Sequence, residues 1–283
     1  MIPKRPLGKT GVKLSLIGMG GIVVMKEEQE RADELVKKSI EAGVNYFDVA
    51  PTYGDAELKL GNALKPWRNR IFLACKTTMR DRTGAWNELQ NSLQRLQTER
   101  VDLYQLHGLI SEQEVEKALA KDGAIETLIR ARKEGLTRYI GFSAHSPKAA
   151  LKAMKEFDFD TILYPVNFVT HFRSGFEEAV LKEAKQKGMG ILALKSMAMQ
   201  IWPKDADRKQ HPKCWYQPVD DPELAGLALY WTLSQGVTAA VPPGDVGVYL
   251  TALRLAGDYR RLTEVEVGKL QSLATDLSPI FSS

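Results

Sequence analysis

The stretch that decides the fold is GVNYFDVAPTYGDAE, residues 43–57. A helical segment ends at Gly43, and a run of aromatic and β-branched residues follows at once, before a polar turn that holds Tyr53. Glycine directly after a helix readily adopts the left-handed conformation that turns the chain back. The stretch therefore predicts a helix, a tight turn and a buried strand that ends near Asp48.

The same order of helix, glycine and strand recurs three more times, with LTRYIGFSA after Gly135, MGILALKS after Gly188 and VTAAVPPG after Gly236. Further β-rich runs, LSLIGMGG, IFLACKT, VDLYQLHG and TILYPVN, begin near residues 14, 71, 101 and 161. About eight strands that alternate with helices are typical of a parallel (β/α)8 barrel. The sequence therefore predicts a single α/β TIM barrel over residues 1–283, preceded by a short hairpin within residues 5–15.

A doubly wound sheet is the competing fold. It would carry a glycine-rich phosphate fingerprint in its first strand–helix unit, and Gly18-x-Gly20-Gly21 does not match that fingerprint.

Local signals for helix starts are clear elsewhere in the chain. Ser146-Pro147 and Asp221-Pro222 each pair an N-cap with proline at the first helical position, and Thr263 with Glu266 forms a capping-box pattern.

Composition narrows the classes of function. The net charge of +4 comes without a basic block, which gives no reason to expect nucleic-acid binding. The two cysteines, Cys75 and Cys214, lie far apart in no metal-type spacing, so we expect no metal site and a reducing compartment. No apolar run approaches the roughly 18 residues of a membrane helix, and no signal-peptide core follows the first residues. We expect a cytoplasmic protein that does not bind membranes; its oligomeric state cannot be read from the sequence.

Polar side chains collect at one end of the predicted strands. Because side chains alternate along a strand, position alone predicts which residues face inward. The predicted inward sets are Tyr46 and Asp48; Phe72, Ala74 and Lys76; Leu103, Gln105 and His107; Gly141, Ser143 and His145; Leu163, Pro165 and Asn167; and Ile191, Ala193 and Lys195. Each polar residue alone is better explained as a cap or a structural side chain. Together, at the rim where barrels carry their chemistry, they predict an active site.

Four of these residues form a proton-transfer set. A tyrosine has an ordinary pKa of about 10, and a desolvated ammonium beside it lowers that value. Lys76 is the candidate cation for Tyr53, Asp48 is the carboxylate that fixes the lysine, and His107 is a neutral donor for a carbonyl oxygen. Such a set suits carbonyl reduction, with the hydride supplied by another group.

The motif GVNYFDVAPTYGDAELKLGNAL (43–64), the lysine of LACKT and the histidine of LYQLHG resemble the aldo-keto reductase family. GFSAH and KSMA are similar to a divergent, prokaryotic-type branch of it. The resemblance implies a barrel that binds NADP or NAD across its C-terminal rim and reduces a small-molecule aldehyde or ketone to the alcohol, or catalyses the reverse. It implies Tyr53 as general acid, with Lys76 and Asp48 tuning it and His107 orienting the carbonyl.

The cofactor candidates that the resemblance suggests depart in part from the family's usual pattern. Ala144 stands where asparagine is usual, and Leu163 stands where glutamine is usual, with Asn167 as an alternative. Lys195 stands where an aromatic ring usually stacks on the nicotinamide; there it would disfavour the oxidised ring, or instead reach cofactor phosphates or solvent. The full set is Gly20, Gly21, Ser143, Leu163, Asn167, Lys195, Ser196, Met197, Gly244, Asp245 and Arg254.

The choice between NADP and NAD stays open at this stage. The loop after the last strand lacks the basic cluster that often clamps a 2′-phosphate, since only Arg254 is near. Asp245 would instead favour a free ribose hydroxyl.

Residues 197–221 are long for a βα loop, and long loops in compact domains are often binding loops. The loop carries Trp202, His211, Trp215 and Tyr216. We therefore expect an active-site loop whose aromatic residues, Trp202 and Trp215 above all, form part of an apolar substrate wall; a plain surface insertion is the alternative. Ile22 and His145 complete the substrate candidates.

Two other functions remain open from the residues alone. A Schiff-base lyase or aldolase could use Lys76 or Lys195, because both lie at strand ends. A cofactor-sensing subunit with negligible turnover could keep the same fold, although the complete set of Asp48, Tyr53, Lys76 and His107 argues against it.

Overall fold

The computed structural model describes residues 1–282. Its strands are β1 (Lys4–Pro6), β2 (Lys13–Ser15), β3 (Met19–Gly20), β4 (Tyr46–Asp48), β5 (Phe72–Thr77), β6 (Leu103–Leu109), β7 (Tyr139–Ala144), β8 (Thr161–Pro165), β9 (Gly190–Leu194), β10 (Ala198–Gln200), β11 (Gln217–Pro218) and β12 (Ala239–Val241). Its α-helices are α1 (Gln29–Ala42), α2 (Ala56–Leu64), α3 (Arg82–Arg95), α4 (Glu112–Leu119), α5 (Ala124–Lys133), α6 (Pro147–Glu156), α7 (Phe168–Ser174), α8 (Glu178–Gln186), α9 (Pro222–Ser234), α10 (Val246–Ala256) and α11 (Glu264–Ala274).

Eight parallel strands form the barrel, in the order β3-β4-β5-β6-β7-β8-β9-β12. The first and last strands meet through a parallel bridge between Ile17 and Ala240. The Gly18 amide donates to the Ala240 carbonyl at 2.8 Å, and the Ala240 amide donates to the Leu16 carbonyl at 2.8 Å. The predicted (β/α)8 TIM barrel is confirmed.

The predicted N-terminal hairpin is present as the antiparallel pair β1–β2, with Lys4 opposite Ser15. Its apolar residues Leu7 and Leu14 are buried in the cluster that fills the barrel. The strand predicted from residue 14 to 21 is therefore divided in two. Its first residues pair within the hairpin, and only Met19–Gly20 form the barrel strand β3.

Local signals placed the helix ends correctly. Gly43, Gly135, Gly188 and Gly236 all have positive φ values between 66° and 105°, as expected for chain reversal after a helix. The caps form as well. Ser146 Oγ accepts from the Ala149 amide, Asp221 Oδ1 accepts from the Leu224 amide, and Thr263 with Glu266 makes a complete capping box.

The barrel interior confirms the inward-facing residues predicted for most strands. Its buried cluster is Leu7, Leu14, Tyr46, Phe72, Ala74, Leu103, Leu163, Leu192, Ala239 and Val241. The prediction for β9 was wrong, because Leu192 faces inward while Ile191 and Ala193 pack under the helices. Lys195 lies just beyond the end of β9 and has a left-handed backbone with φ of 65°. Side chains alternate only within the extended strand, so an assignment that starts from Lys195 puts Ile191 and Ala193 on the wrong face.

Across residues 1–282, no helix combines the length and the apolar character that crossing a membrane requires.

Candidate active site

A buried ion pair anchors the site at the carboxyl ends of β4 and β5. Lys76 Nζ donates to Asp48 Oδ1 and to the Val49 carbonyl, the latter at 3.0 Å. Asp48 Oδ2 accepts from the Tyr46 hydroxyl at 3.0 Å and from Gln105 Nε2 at 3.2 Å. Neither charged side chain is more than 2% exposed. Buried charges are tolerated when they are paired and hydrogen-bonded, and this pair meets that condition.

Tyr53 lies in the turn between β4 and α2. Its ring centroid is 5.2 Å from Lys76 Nζ and 5.9 Å from the His107 ring, which it meets edge to face. Burial raises the pKa of Tyr53, and the charge of Lys76 lowers it by less, so the phenol's pKa lies above its ordinary value. The expectation that Lys76 draws this pKa toward neutrality is therefore wrong for this structure, because desolvation outweighs the ammonium. The phenol is protonated at neutral pH.

Lys76 itself remains charged. Burial alone would lower the pKa of Lys76, but the charge of Asp48 and the hydrogen bond to it leave that pKa raised above its ordinary value. The ammonium is thus a fixed positive charge beside the phenol.

Two histidines present neutral donors at the same rim. Burial, reinforced by the charge of Lys76, lowers the pKa of His107 to about 3. Burial and the charge of Lys195 lower the pKa of His145 to about 4. Within residues 1–282, His107 Nδ1 and His145 Nε2 are buried without a hydrogen-bond partner. Both imidazoles are therefore uncharged at neutral pH and can donate to or accept from a ligand.

One cavity gathers the rim residues. The predicted site residues that line it are Gly20, Ile22, Asp48, Tyr53, Lys76, His107, Ser143, His145, Leu163, Lys195 and Gly244. They come from both ends of the chain, and they converge because parallel strands bring their carboxyl ends to one face of the barrel.

Eight predicted residues do not line this cavity: Gly21, Asn167, Ser196, Met197, Trp202, Trp215, Asp245 and Arg254. Asn167 caps α7 through Oδ1, which accepts from the Thr170 amide at 3.0 Å. Asp245 caps α10, and its other oxygen lies 3.3 Å from His211 Nδ1. Arg254 lies in the last turn of α10 and is exposed. A cofactor role for these three requires a ligand that extends beyond the cavity or an exchange of existing contacts.

Lys195 has an unusual setting. Its φ of 65° is left-handed, which for a residue other than glycine costs on the order of 1–3 kcal/mol. Its ammonium lies 5.1 Å from the Trp215 ring centroid and 4.7 Å from that of Tyr216. Burial lowers the pKa of Lys195 to about 8.

The 197–221 loop is held in place by contacts within the loop and with the segment after β3. Strands β10 and β11 pair at its base. Lys213 Nζ donates to the Val23 carbonyl at 2.9 Å and to Glu27 at 2.7 Å, which fixes the loop to the segment after β3. Trp202 packs inside the loop, where its Nε1 donates to the Cys214 carbonyl at 2.9 Å. Trp215 is 55% exposed and does not line the cavity, but its ring contacts Lys195 and Tyr216, which do.

The sequence reading missed several lining residues: Leu194, Val241, Pro242 and Pro243. Tyr216, one of the aromatic residues expected in the substrate wall, does line the cavity. Pro242 and Pro243 follow the last barrel strand directly, so their position alone could have identified them. Phe281 was also missed. Its ring stacks on His145 at 5.2 Å and lies 5.9 Å from Trp215, a contact for which a tail residue gives no local signal.

Comparisons with known proteins bear on the family and the fold. A model of the aldo/keto reductase family matches residues 16–244. The chain is 27% identical to an uncharacterized oxidoreductase, YqkF, of Bacillus subtilis (strain 168), over 95% of each chain. It is 26% identical to an L-galactose dehydrogenase of Arabidopsis thaliana, over 75% of this chain and 70% of that protein. The holo form of aldo-keto reductase AKR11C1 from Bacillus halodurans superposes with a TM-score of 0.77 at 23% identity, over 99% of both chains.

Proposed function

Because the chain belongs to the aldo-keto reductase family, whose members are NAD(P)-dependent oxidoreductases, we propose that it reduces an aldehyde or ketone to the alcohol with Tyr53 as general acid. The observation that carries the proposal is the position of the Tyr53 ring, 5.2 Å from a Lys76 ammonium that Asp48 already fixes. Burial keeps the phenol protonated, which is the state that a proton donor needs.

The residues present fit a nicotinamide cofactor. In the described part of the chain, Asn167 Nδ2 and Ser196 Oγ are buried polar atoms without a partner; they lie outside the cavity lining, so they would serve a cofactor that extends beyond it. Ser143 Oγ accepts from the Gly108 amide at 2.7 Å, so its own hydroxyl hydrogen remains free to donate. At Gly244 any side chain would collide with Ile22, so the backbone there offers a narrow cradle. These groups support binding of a carboxamide and a phosphate-bearing chain.

Each residue then has a defined task. A bound reduced nicotinamide would supply the hydride that the carbonyl carbon needs. Tyr53 gives its hydroxyl proton to the carbonyl oxygen, and the resulting phenolate is stabilised by the Lys76 ammonium and regains a proton from water. His107, neutral at working pH, donates to the carbonyl oxygen and orients it. Asp48 holds Lys76 in place.

The cofactor preference follows from the loop after β12. Arg254 is exposed in the last turn of α10 and does not line the cavity, while the N-cap of that helix is the acidic Asp245. This arrangement favours a free ribose hydroxyl over a 2′-phosphate, so we propose NADH as the preferred reductant. Parallel fluorescence titrations with NADH and NADPH test the preference, and tighter binding of NADPH would contradict it.

Oxidation of NADH by a panel of aldehydes and ketones tests the proposed reaction. We expect the loss of reduced cofactor to match the alcohol formed, one for one. Bound cofactor that stays reduced with every carbonyl tested would contradict the proposal and favour a cofactor-sensing protein. The Schiff-base alternative has no support from the comparisons, and Lys76 is engaged as a protonated ion-pair partner rather than available as a free amine.

A further inference from the structure

Lys195 is a cation in the cavity that lacks an anion. In residues 1–282, no carboxylate lies within 4.0 Å of its ammonium and no hydrogen-bond acceptor is assigned to it, whereas Lys76 pairs with Asp48 and Lys213 pairs with Glu27. A half-buried ammonium is desolvated without compensation here, which is costly unless a ligand supplies the missing charge.

The ammonium is nevertheless held in a defined place. The rings of Trp215 and Tyr216 pack against it from 5.1 and 4.7 Å, and cation–π contacts of this kind fix a positive group without neutralising it. The left-handed backbone at Lys195 is the sort of local strain that proteins retain where a side chain must be aimed. Tyr216 and Lys195 both line the cavity, so their contact holds the ammonium at the cavity wall.

His145 provides a second group of the same kind. Its Nε2 is buried without a partner among the described residues, and Phe281 stacks on its ring at 5.2 Å and fixes the plane. A fixed cation beside a neutral imidazole is a good receptor for a small anion, because one group supplies charge and the other a directed N–H.

We propose that Lys195 and His145 bind a carboxylate carried by the substrate, so that the preferred substrates are aldehydes or ketones that also bear an acid group. The inference rests on the proposed reduction and specifies its substrate class. Lys195, His145 and His107 all line the same cavity, so the proposed anion site lies beside the group that orients the carbonyl. A small molecule can therefore reach both positions at once. A single ammonium suits a carboxylate better than a phosphate, which usually attracts several donors.

The charge state of Lys195 adds a pH signature. Its pKa of about 8 keeps it protonated at neutral pH, and it loses its charge as the pH rises further. The other titratable groups that face it do not change charge there. Burial holds the pKa of Cys214 near 11 and that of Tyr216 well above its ordinary value, while His107 and His145 are already neutral. Carboxylate affinity should therefore decline above about pH 8 while affinity for a matched neutral compound does not.

A binding experiment tests the site without turnover. The fluorescence of Trp215, adjacent to the Lys195 ammonium, is followed while butanoate or butanamide is added to the full protein. We expect about tenfold tighter binding of butanoate, the effect of one charged hydrogen bond, loss of that preference in Lys195→Met, and its retention in Lys195→Arg. Lys185→Met, a lysine at the opposite end of the barrel, is the matched control and should keep the preference. Equal binding of the two compounds by the unmodified protein would overturn the inference.

A kinetic experiment separates this inference from the proposed reaction. The kcat/KM values for 4-oxobutanoate and its methyl ester are compared in the unmodified protein and in Lys195→Met. We expect the acid to be preferred by about tenfold and the preference to collapse in the variant. A variant that instead weakens NADH binding and leaves the preference unchanged would assign Lys195 to cofactor phosphates. If neither carbonyl is reduced by any form, the proposed reaction fails, and the butanoate titration still decides the anion site.

Discussion

At the scale of single residues, the Asp48–Lys76 ion pair anchors the candidate site. It is buried, and its hydrogen bonds to Tyr46, Gln105 and the Val49 carbonyl leave neither charge uncompensated. Removing both charges together is often tolerated by a protein interior, whereas removing one leaves the other buried and alone. The pair is therefore best tested by comparing single and double substitutions.

Lys76→Met should lower the free energy of unfolding by about 3–5 kcal/mol, because Asp48 would remain buried without its cation. The double variant Asp48→Leu with Lys76→Met should recover most of that loss. Urea denaturation followed by circular dichroism measures both. A single variant within about 1 kcal/mol of the unmodified protein would show that the pair is effectively solvated.

The protonation of Tyr53 predicts a directional pH dependence. Since burial raises the pKa of this phenol above its ordinary value of 10.0, the proton donor is intact throughout the neutral and mildly alkaline range. With a neutral aldehyde, the reduction rate should stay level up to about pH 9, while the reverse oxidation, which needs the phenolate, should rise steadily. Stopped-flow rates at saturating cofactor measure both directions. A reduction rate that declines between pH 7 and 8, with the protein still folded, would contradict the assignment.

Single residues also show which parts of the site can be predicted from local sequence patterns and which cannot. Alternation along β4, β5 and β6 is enough to place Asp48, Lys76 and His107 at the rim, where all three line the cavity. The same rule failed on β9, because Lys195 follows the strand in a left-handed conformation that side-chain alternation does not describe. The pKa of Tyr53 was mispredicted because the degree of desolvation depends on packing from distant elements.

At the scale of elements, the 197–221 loop is held by few but specific contacts. Lys213 bonds the segment after β3, and His211 lies 2.7 Å from Asp220 and 3.3 Å from Asp245. The loop carries Tyr216 to the cavity wall and Trp215 to Lys195. It therefore borders the candidate site through Tyr216, whereas Trp202 packs within the loop and does not line the cavity.

Lys213→Met should loosen this loop. Loss of a largely buried ion pair and its carbonyl bond, worth about 1 kcal/mol, should raise the population of the open loop roughly fivefold. Trypsin cleavage after Lys209, followed by mass spectrometry, reports that opening. Lys204→Met in the same loop, where no ion pair was found within residues 1–282, is the control and should leave cleavage after Lys209 unchanged. Equal cleavage in Lys213→Met and the unmodified protein would show that other contacts hold the loop.

Elements whose signals are local were predicted well, and those set by distant partners were not. The glycine that ends α1 and the caps of α6, α9 and α11 act within a few residues, so they can be read directly. The division between β2 and β3 depends on pairing with β1 and β4. The stacking of Phe281 on His145 joins residues that lie far apart in the chain, and no sequence pattern in either segment predicts that contact.

At the scale of the whole molecule, the histidines couple folding to pH. His107 and His145 have pKa values of about 3 and 4 in the fold, below the ordinary 6.5. Between about pH 4 and pH 6.5, these two histidines bind protons in the unfolded chain but stay neutral in the folded chain. The free energy of unfolding therefore falls as the pH is lowered from 6.5 to 4. His171 acts in the opposite sense at higher pH, since its hydrogen bond to Glu177 raises its pKa.

Acid sensitivity should therefore follow the two rim histidines. The urea midpoint should decline steadily from pH 6.5 to pH 4.5, and the double variant His107→Gln with His145→Gln should show a distinctly shallower decline. Urea titrations at several pH values provide the comparison. Parallel curves for the two proteins would mean that carboxylates, not these histidines, govern the acid transition.

The central claim, that Tyr53 is the proton donor of a carbonyl reductase, is tested most directly by one measurement. Tyr53→Phe keeps the ring beside His107 and Lys76 but removes the hydroxyl. With NADH bound at saturation, the single-turnover rate of cofactor oxidation by a reactive aldehyde should fall about 10²–10⁴-fold, while the dissociation constant for NADH changes little. A rate within threefold of that of the unmodified protein, with cofactor still bound, would contradict the account.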